Sequence, residues 1–241
     1  MNAKIIALLV VGGLALIAVI AYTLYREQKR LNALRQFCAS KGWQFVNRDN
    51  AYAVRWRCFP FFQGRNRQAR AVITGSYGSG DHVRPFVAFD YSYVTDDNSH
   101  TGSSSTSSST THRYAICAIE LPTYLPALEV TPENVLTRIG NAITGNAIQL
   151  ESEDFNRRFK VTCPDAKFAS DCLPPRSMEA LLAHTGLHFR FEGRDLLCWE
   201  TGETTTLKLL ERLATLSAFV DGIPSFVWHD YQPDTGAASA Q

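Results

Sequence analysis

The chain has 241 residues, 45% of them hydrophobic, which is enough for an apolar anchor followed by one domain of ordinary size or two small ones. Its formal charge of +1 hides an asymmetry: Arg26 to Arg70 holds eleven Lys or Arg against two acids, whereas Ala71 to the end holds twelve against twenty-one. The acidic distal part argues against nucleic acid as a partner, and six widely spaced cysteines exclude zinc-finger spacing.

Residues 1–4 form a short flank. From Ile5 to Tyr25 there are twenty-one residues without a charge, bounded by Lys4 and Arg26. As a helix rising 1.5 Å per residue the stretch spans about 30 Å, the hydrocarbon thickness of a bilayer. A cleaved signal peptide would have a shorter apolar core and no basic cluster behind it, and a buried core helix would show a polar stripe. The reading is therefore a single-pass transmembrane helix in the cell membrane. Lys and Arg mark the cytoplasmic flank, and Arg26, Lys29, Arg30 and Arg35 follow the helix where only Lys4 precedes it, so the C-terminal domain is expected in the cytoplasm. There Cys38, Cys58, Cys117, Cys163, Cys172 and Cys198 would remain thiols; outside the cell an even count could be three disulfides.

Segment 26–42 reads as a juxtamembrane helix, with Leu31, Leu34 and Cys38 on one stripe and Gly42 as its stop. Residues 43–230 are expected to form the cytoplasmic domain. Trp43 to Val46 and Tyr52 to Phe62 read as strands, the latter with Val54, Trp56 and Cys58 on one face. Arg70 to Ser76 and Pro85 to Val94 follow as a strand pair, joined by a glycine-containing hairpin loop rather than a phosphate-binding one, since no helix follows it. Residues 96–111 contain no apolar side chain and are expected to be a flexible Ser/Thr loop, after which Arg113 to Leu121 pairs back.

Thr131 and Pro132 look like the cap and first position of a helix running through Ile143. Phe155 to Thr162 alternates as a strand. Helices are expected over Ala166 to Cys172 and Arg176 to His184, a hairpin over Leu187 to Phe191 and Leu196 to Glu200, and a last helix over Thr205 to Val220. Residues 231–241 form a polar tail expected to be disordered.

Several stretches carry a resemblance. Glu151 to Val161 (ESEDFNRRFKV), Leu173-Pro174, the run Met178 to Leu182, Arg55 to Phe61 (RWRCFPF) and Ile119 to Pro122 resemble an actinobacterial-type family of membrane-anchored bacterial proteins with a domain of unknown function. The resemblance implies an anchored architecture and carries no catalytic residue, cofactor or substrate to this chain.

The residues themselves support little chemistry. Glu151, Glu153 and Asp154 offer carboxylates that could divide acid and base roles, the basis for an alternative reading as a membrane-tethered hydrolase. His184 and His188 have helical metal-ligand spacing, but Gly186 lies between them, so no metal or cofactor site is assigned. Arg55, Arg57, Arg65, Arg67 and Arg70, interleaved with aromatic residues, are the basic residues expected to face anionic lipid headgroups, each well-placed cation being worth about 1 kcal/mol near such a surface. The resulting expectation is an α+β fold: one transmembrane helix, then a mostly antiparallel sheet with covering helices, pleckstrin-homology-like by analogy only. Its function is expected to be that of a non-enzymatic interaction or scaffolding module, anchored in the bilayer through Ile5–Tyr25 and engaging an unidentified protein partner.

Overall fold

The computed structural model describes residues 3–99, 106–133, 147–184 and 186–231. Helix α1 (Ala3–Lys41) is unbroken, so the apolar stretch and the basic segment after it form one rod. Val10, Leu14, Ile17 and Leu24 stand free of the rest of the protein, while Leu34 and Cys38, three and seven residues beyond Leu31, are wholly buried in the core. That change of face follows from composition: the first part is apolar all round, and only the second is amphipathic. Gly42, at φ +69°, ends the helix in the left-handed region, with the Trp43 amide bonded back to the Cys38 carbonyl at 2.9 Å.

Among the described residues the domain is built on one seven-stranded antiparallel sheet. β1 (Gln44–Arg48), β2 (Arg65–Tyr77), β3 (Arg84–Ser99) and β4 (Thr106–Pro132) lie side by side in chain order. β4 is long enough to take different neighbours along its length. β3 flanks its first half, β7 (His188–Thr201) flanks it from Tyr114 to Val130, and β6 (Phe159–Thr162) pairs with Glu129–Pro132. β5 (Ala147–Ile148) completes the edge on β6. Helices α2 (Glu153–Arg158), α3 (Ala166–Cys172), α4 (Pro175–Leu182), α5 (Thr206–Gly222) and α6 (Val227–Asp230) complete the described residues.

Alternation along the strands makes two cores. On one face Ile73, Phe86, Ala88, Cys117, Ile119 and Cys198 pack beneath Leu34 of α1 and Leu209, Leu213, Leu216 and Phe219 of α5. On the other, Val87, Phe89, Tyr91, Ile116, Leu197 and Trp199 form an aromatic-rich layer. Residues 52–62 cover that second layer, and here the expected strand is corrected. Tyr52–Val54 is a single 3₁₀ turn and the remainder is irregular, including a cis Phe59–Pro60 bond. The apolar positions of this segment are read by burial, not by a ladder: Ala53, Trp56, Cys58 and Phe61 turn inward, with the Trp56 ring stacked 6.0 Å from Phe89.

Four further expectations are revised. The ladder between β3 and β4 continues through Thr95–Thr110 to Ser99–Thr106, so the Ser/Thr tract is partly strand; backbone pairing needs no apolar side chain, and the part of the expected loop at 100–105 lies outside the described residues. Thr131 and Pro132 end β4, paired with Lys160 and Phe159, and do not cap a helix; residues 134–146 lie outside the described residues. Of the strand expected over Phe155 to Thr162 only Phe159–Thr162 is strand; residues 155–158 belong to helix α2, because the Ser152 hydroxyl accepts the Phe155 amide and acids fill the first turn. The expected hairpin around Glu192–Asp195 is one continuous strand. The register slips here with the extra residues on β4, between Glu120 and Leu128, and Gly193 of β7, at φ +67°, lies at the slip; the buried residues of β7 switch from Phe189 and Phe191 to Leu196 and Cys198.

His188 is buried against Trp199, the rings stacked at 5.1 Å, and its Nδ1 has no hydrogen-bond partner. Burial lowers its pKa from 6.5 to about 4. A folded-state pKa below the unfolded one means that the stability is complete above pH 6.5 and is lost as pH falls toward 4. Stability at pH 5 is therefore expected to be about 2 kcal/mol lower than at pH 7 from this group. A His188→Phe variant should flatten that part of a pH series of denaturation curves; an unchanged slope would remove the assignment.

Candidate functional site

The sheet face beneath α5 is not covered along its whole length. Toward the β3–β4 hairpin it carries Gln68 and Arg70 of β2, Asp90, Ser92 and Val94 of β3, and Thr111 and Arg113 of β4, all following the register of the buried residues below them. α1 passes over this part at a distance, and a groove of about 1290 Å³ lies between them. Its helical wall runs from Tyr22 to Arg35, and Glu203, Thr205 and Thr206 of the β7–α5 turn close one end. A second cavity of about 310 Å³, between Arg35, Cys38 and Trp43, lies at the foot of the helix.

Arg30 organises the groove. Its guanidinium contacts Asp90 and Glu27 at 2.8 Å, reaches Glu203 at 3.6 Å, and donates to the Thr204 carbonyl at 2.6 Å. Asp90 in turn accepts the Thr204 amide at 2.8 Å. One side chain thus ties α1, β3 and the β7–α5 turn together. The hydrogen bond from Arg30 holds the Glu27 carboxyl below its ordinary pKa, while burial pushes that of Asp90 up despite the facing guanidinium. Burial alone would lower the Arg30 pKa; its carboxylate partners raise it.

Arg30 engages all three acids of the groove. Arg26, Lys29, Arg35, Arg70 and Arg113 remain as cations around it, none with a carboxylate partner among the described residues. Arg70 and Arg113 are close enough to depress the pKa of Glu27 across the gap. The arrangement can therefore take an anion.

The five arginines singled out in the sequence are not brought together. Arg70 lies on the groove floor. Arg55 pairs with Asp195 at 3.0 Å and lies over the Trp56 ring, and Arg65 pairs with Asp96 at 2.6 Å. Arg67 stands over Phe62, and Arg57 is exposed on the covering segment. Arg113, which sequence reasoning did not single out, is the groove's other floor cation. The signal for it was available: two residues beyond the Ser/Thr tract it begins the apolar alternation of β4, so it shares a face with Cys117 and Ile119.

Glu151, Glu153 and Asp154 lie on open surface at the start of α2, Asp154 beside Arg157 at 3.3 Å, and neither cavity is lined by them. All six cysteines are free and buried. Burial pushes the Cys58 thiol up to about 12 and raises those of Cys38, Cys163 and Cys172, the opposite of what a nucleophilic thiol needs. His184 follows the end of α4, whereas His188 is in β7, so the two do not share a helix face.

No family model matches the chain, and no curated protein matches it. Among solved structures it is similar to the crystal structure of the mycobacterial trehalose monomycolate transport factor A, TtfA. The two superpose with a TM-score of 0.56 at 12% identity, over 79% of this chain and 92% of that one. At that identity the likeness is one of fold, and the α+β expectation agrees with it.

Proposed function

We propose that this chain is a single-pass, non-enzymatic interaction module of the cell membrane, its α+β domain on the cytoplasmic side and its basic membrane-proximal part in contact with anionic lipid. The observation that carries the reading is α1: its apolar window has a mean hydropathy of 1.5, and none of that window is buried against the domain. A core helix of that composition would be covered. The basic flank after Tyr25 supports the orientation through the positive-inside bias, and six free thiols accord with a reducing compartment. The neighbour of similar fold is named as a transport factor for trehalose monomycolate, which is compatible with an anchored accessory module that works with a protein partner.

Of the five arginines proposed to face lipid, Arg70 is the one already placed in the groove beside α1, and Arg57 and Arg67 are the others without a carboxylate partner among the described residues. Topology provides the test. With the native cysteines buried, a Ser170→Cys variant on the exposed side of α3 supplies one accessible thiol. It is expected to resist a membrane-impermeant thiol reagent in intact cells and to react after lysis. Labelling of intact cells would overturn the orientation, and release of the chain from membranes by alkaline carbonate would overturn the anchor.

A further inference from the structure

We infer that the groove between α1 and the open end of β2–β3–β4 is a binding site for the phosphate headgroup of an anionic membrane lipid, with Arg70 and Arg113 as its ligands. The inference rests on the anchored reading and adds to it a place and a chemistry.

Depth comes first. If the hydrocarbon region ends near Tyr25, Arg30 lies about 8 Å further along the same helix. The headgroup layer occupies about 5–8 Å on each side of the hydrocarbon. The groove wall from Tyr22 to Arg30 therefore crosses that layer. Its lower turn offers Tyr22, Leu24 and Tyr25, exposed and apolar or amphipathic, to acyl chains. A soluble anion would have no use for that continuation, and a lipid in the leaflet meets both parts at once.

Charge comes second. Arg30 draws all three acids of the groove to itself, and the lining as a whole carries six cations against those three acids, so a net positive charge faces an incoming phosphate. Arg70 and Arg113 stand on β2 and β4 with β3 between them, their strands about 10 Å apart. Arginine side chains are long enough to converge from that separation over Ser92, which is paired with Arg113 in the register and adds a hydroxyl between them. Arginine presents paired N–H donors that match phosphate oxygens, and around the floor Gln68 and Thr111 supply further polar atoms.

The test uses the full-length chain in nanodiscs of phosphatidylcholine doped with phosphatidylglycerol, with retained lipid counted by native mass spectrometry. The wild type is expected to retain phosphatidylglycerol in preference to phosphatidylcholine. Arg70→Gln/Arg113→Gln is expected to lower that retention by about tenfold or more. Arg158→Gln/Arg176→Gln, which removes the same charge from exposed positions on α2 and α4, should leave it unchanged. Should the groove pair fail to fold, Ser92→Glu, which places a carboxylate between the two arginines, is expected to give the same loss. Equal losses in both charge-matched pairs, or full retention in Ser92→Glu, would overturn the site. Displacement of the lipid by soluble glycerol phosphate at millimolar concentration would overturn the lipid as its occupant. A chain that enters the nanodisc and retains no phosphatidylglycerol overturns this inference alone, whereas a chain that stays outside overturns the anchor and this site with it.

Discussion

Replacing Arg190 by methionine is expected to destabilise the domain by about 3–5 kcal/mol, the cost of leaving one member of a buried ion pair uncompensated. Arg190 of β7 contacts Glu129 of β4 at 2.8 Å and Glu192 at 2.7 Å, the first pair only 10% and 7% exposed. Glu129 and Arg190 are register partners, and without the guanidinium Glu129 keeps just the Thr131 hydroxyl at 3.2 Å. The pair is not itself an argument for high stability, since desolvation offsets much of its Coulomb energy. Arg190→Met/Glu129→Leu should therefore recover most of the loss. Urea denaturation of the detergent-solubilised chain measures both, and a double variant as unstable as the single one would show that the arginine acts through its packing.

The second large effect is expected at Arg30. Arg30→Met should cost about 3 kcal/mol, toward the lower end of the range for breaking a buried pair, because Asp90 keeps the Thr204 amide. The loss should also depend on pH. Burial already raises the Asp90 pKa with Arg30 in place. Without the cation the folded-state pKa rises further above its unfolded value. A carboxyl raised in the folded state favours the protein at low pH and disfavours it as pH climbs through the folded pKa. The difference between variant and wild type should thus be smallest in acid and grow toward neutrality. A difference that stays flat with pH would mean that Asp90 is not the group left exposed to the change.

Much of this architecture was legible in the sequence because it rests on patterns of burial. The uncharged stretch, the Leu31–Leu34–Cys38 stripe, α3 and α5 could each be read from spacing alone, and so could the pairing of β3 with β4 across the serine tract. The misread segments share a physical reason. In 52–62 the alternation of Val54, Trp56 and Cys58 resembles a strand, but the rings bury downward onto Phe89 without any neighbouring strand. At Glu192–Asp195 a glycine and three charges look like a turn, whereas long β4 holds both halves of β7 in one ladder. The groove was harder still. Arg30, Asp90 and Thr204 are distant in the chain, and their meeting depends on where α1 crosses the sheet, a tertiary fact with no local signature.

With α1 anchored as proposed, the unbroken helix from its apolar segment to the core also has a mechanical consequence. A glycine-rich tether would let the domain sample a sphere of positions, whereas the nine helical steps from Tyr25 to Leu34 hold it about 14 Å from the end of the hydrocarbon. That distance is nearly twice the roughly 8 Å over which salt screens a charge at physiological ionic strength, so the basic residues on the helix below Leu34 meet the surface charge more strongly than those of the core. Azimuth is fixed as well as height: when α1 turns about its axis in the membrane the whole sheet turns with it, and the groove keeps its attitude to the leaflet. Inserting one residue between Arg26 and Lys29 would rotate the domain by about 100° relative to the anchor, and inserting four would return it nearly to register one turn higher.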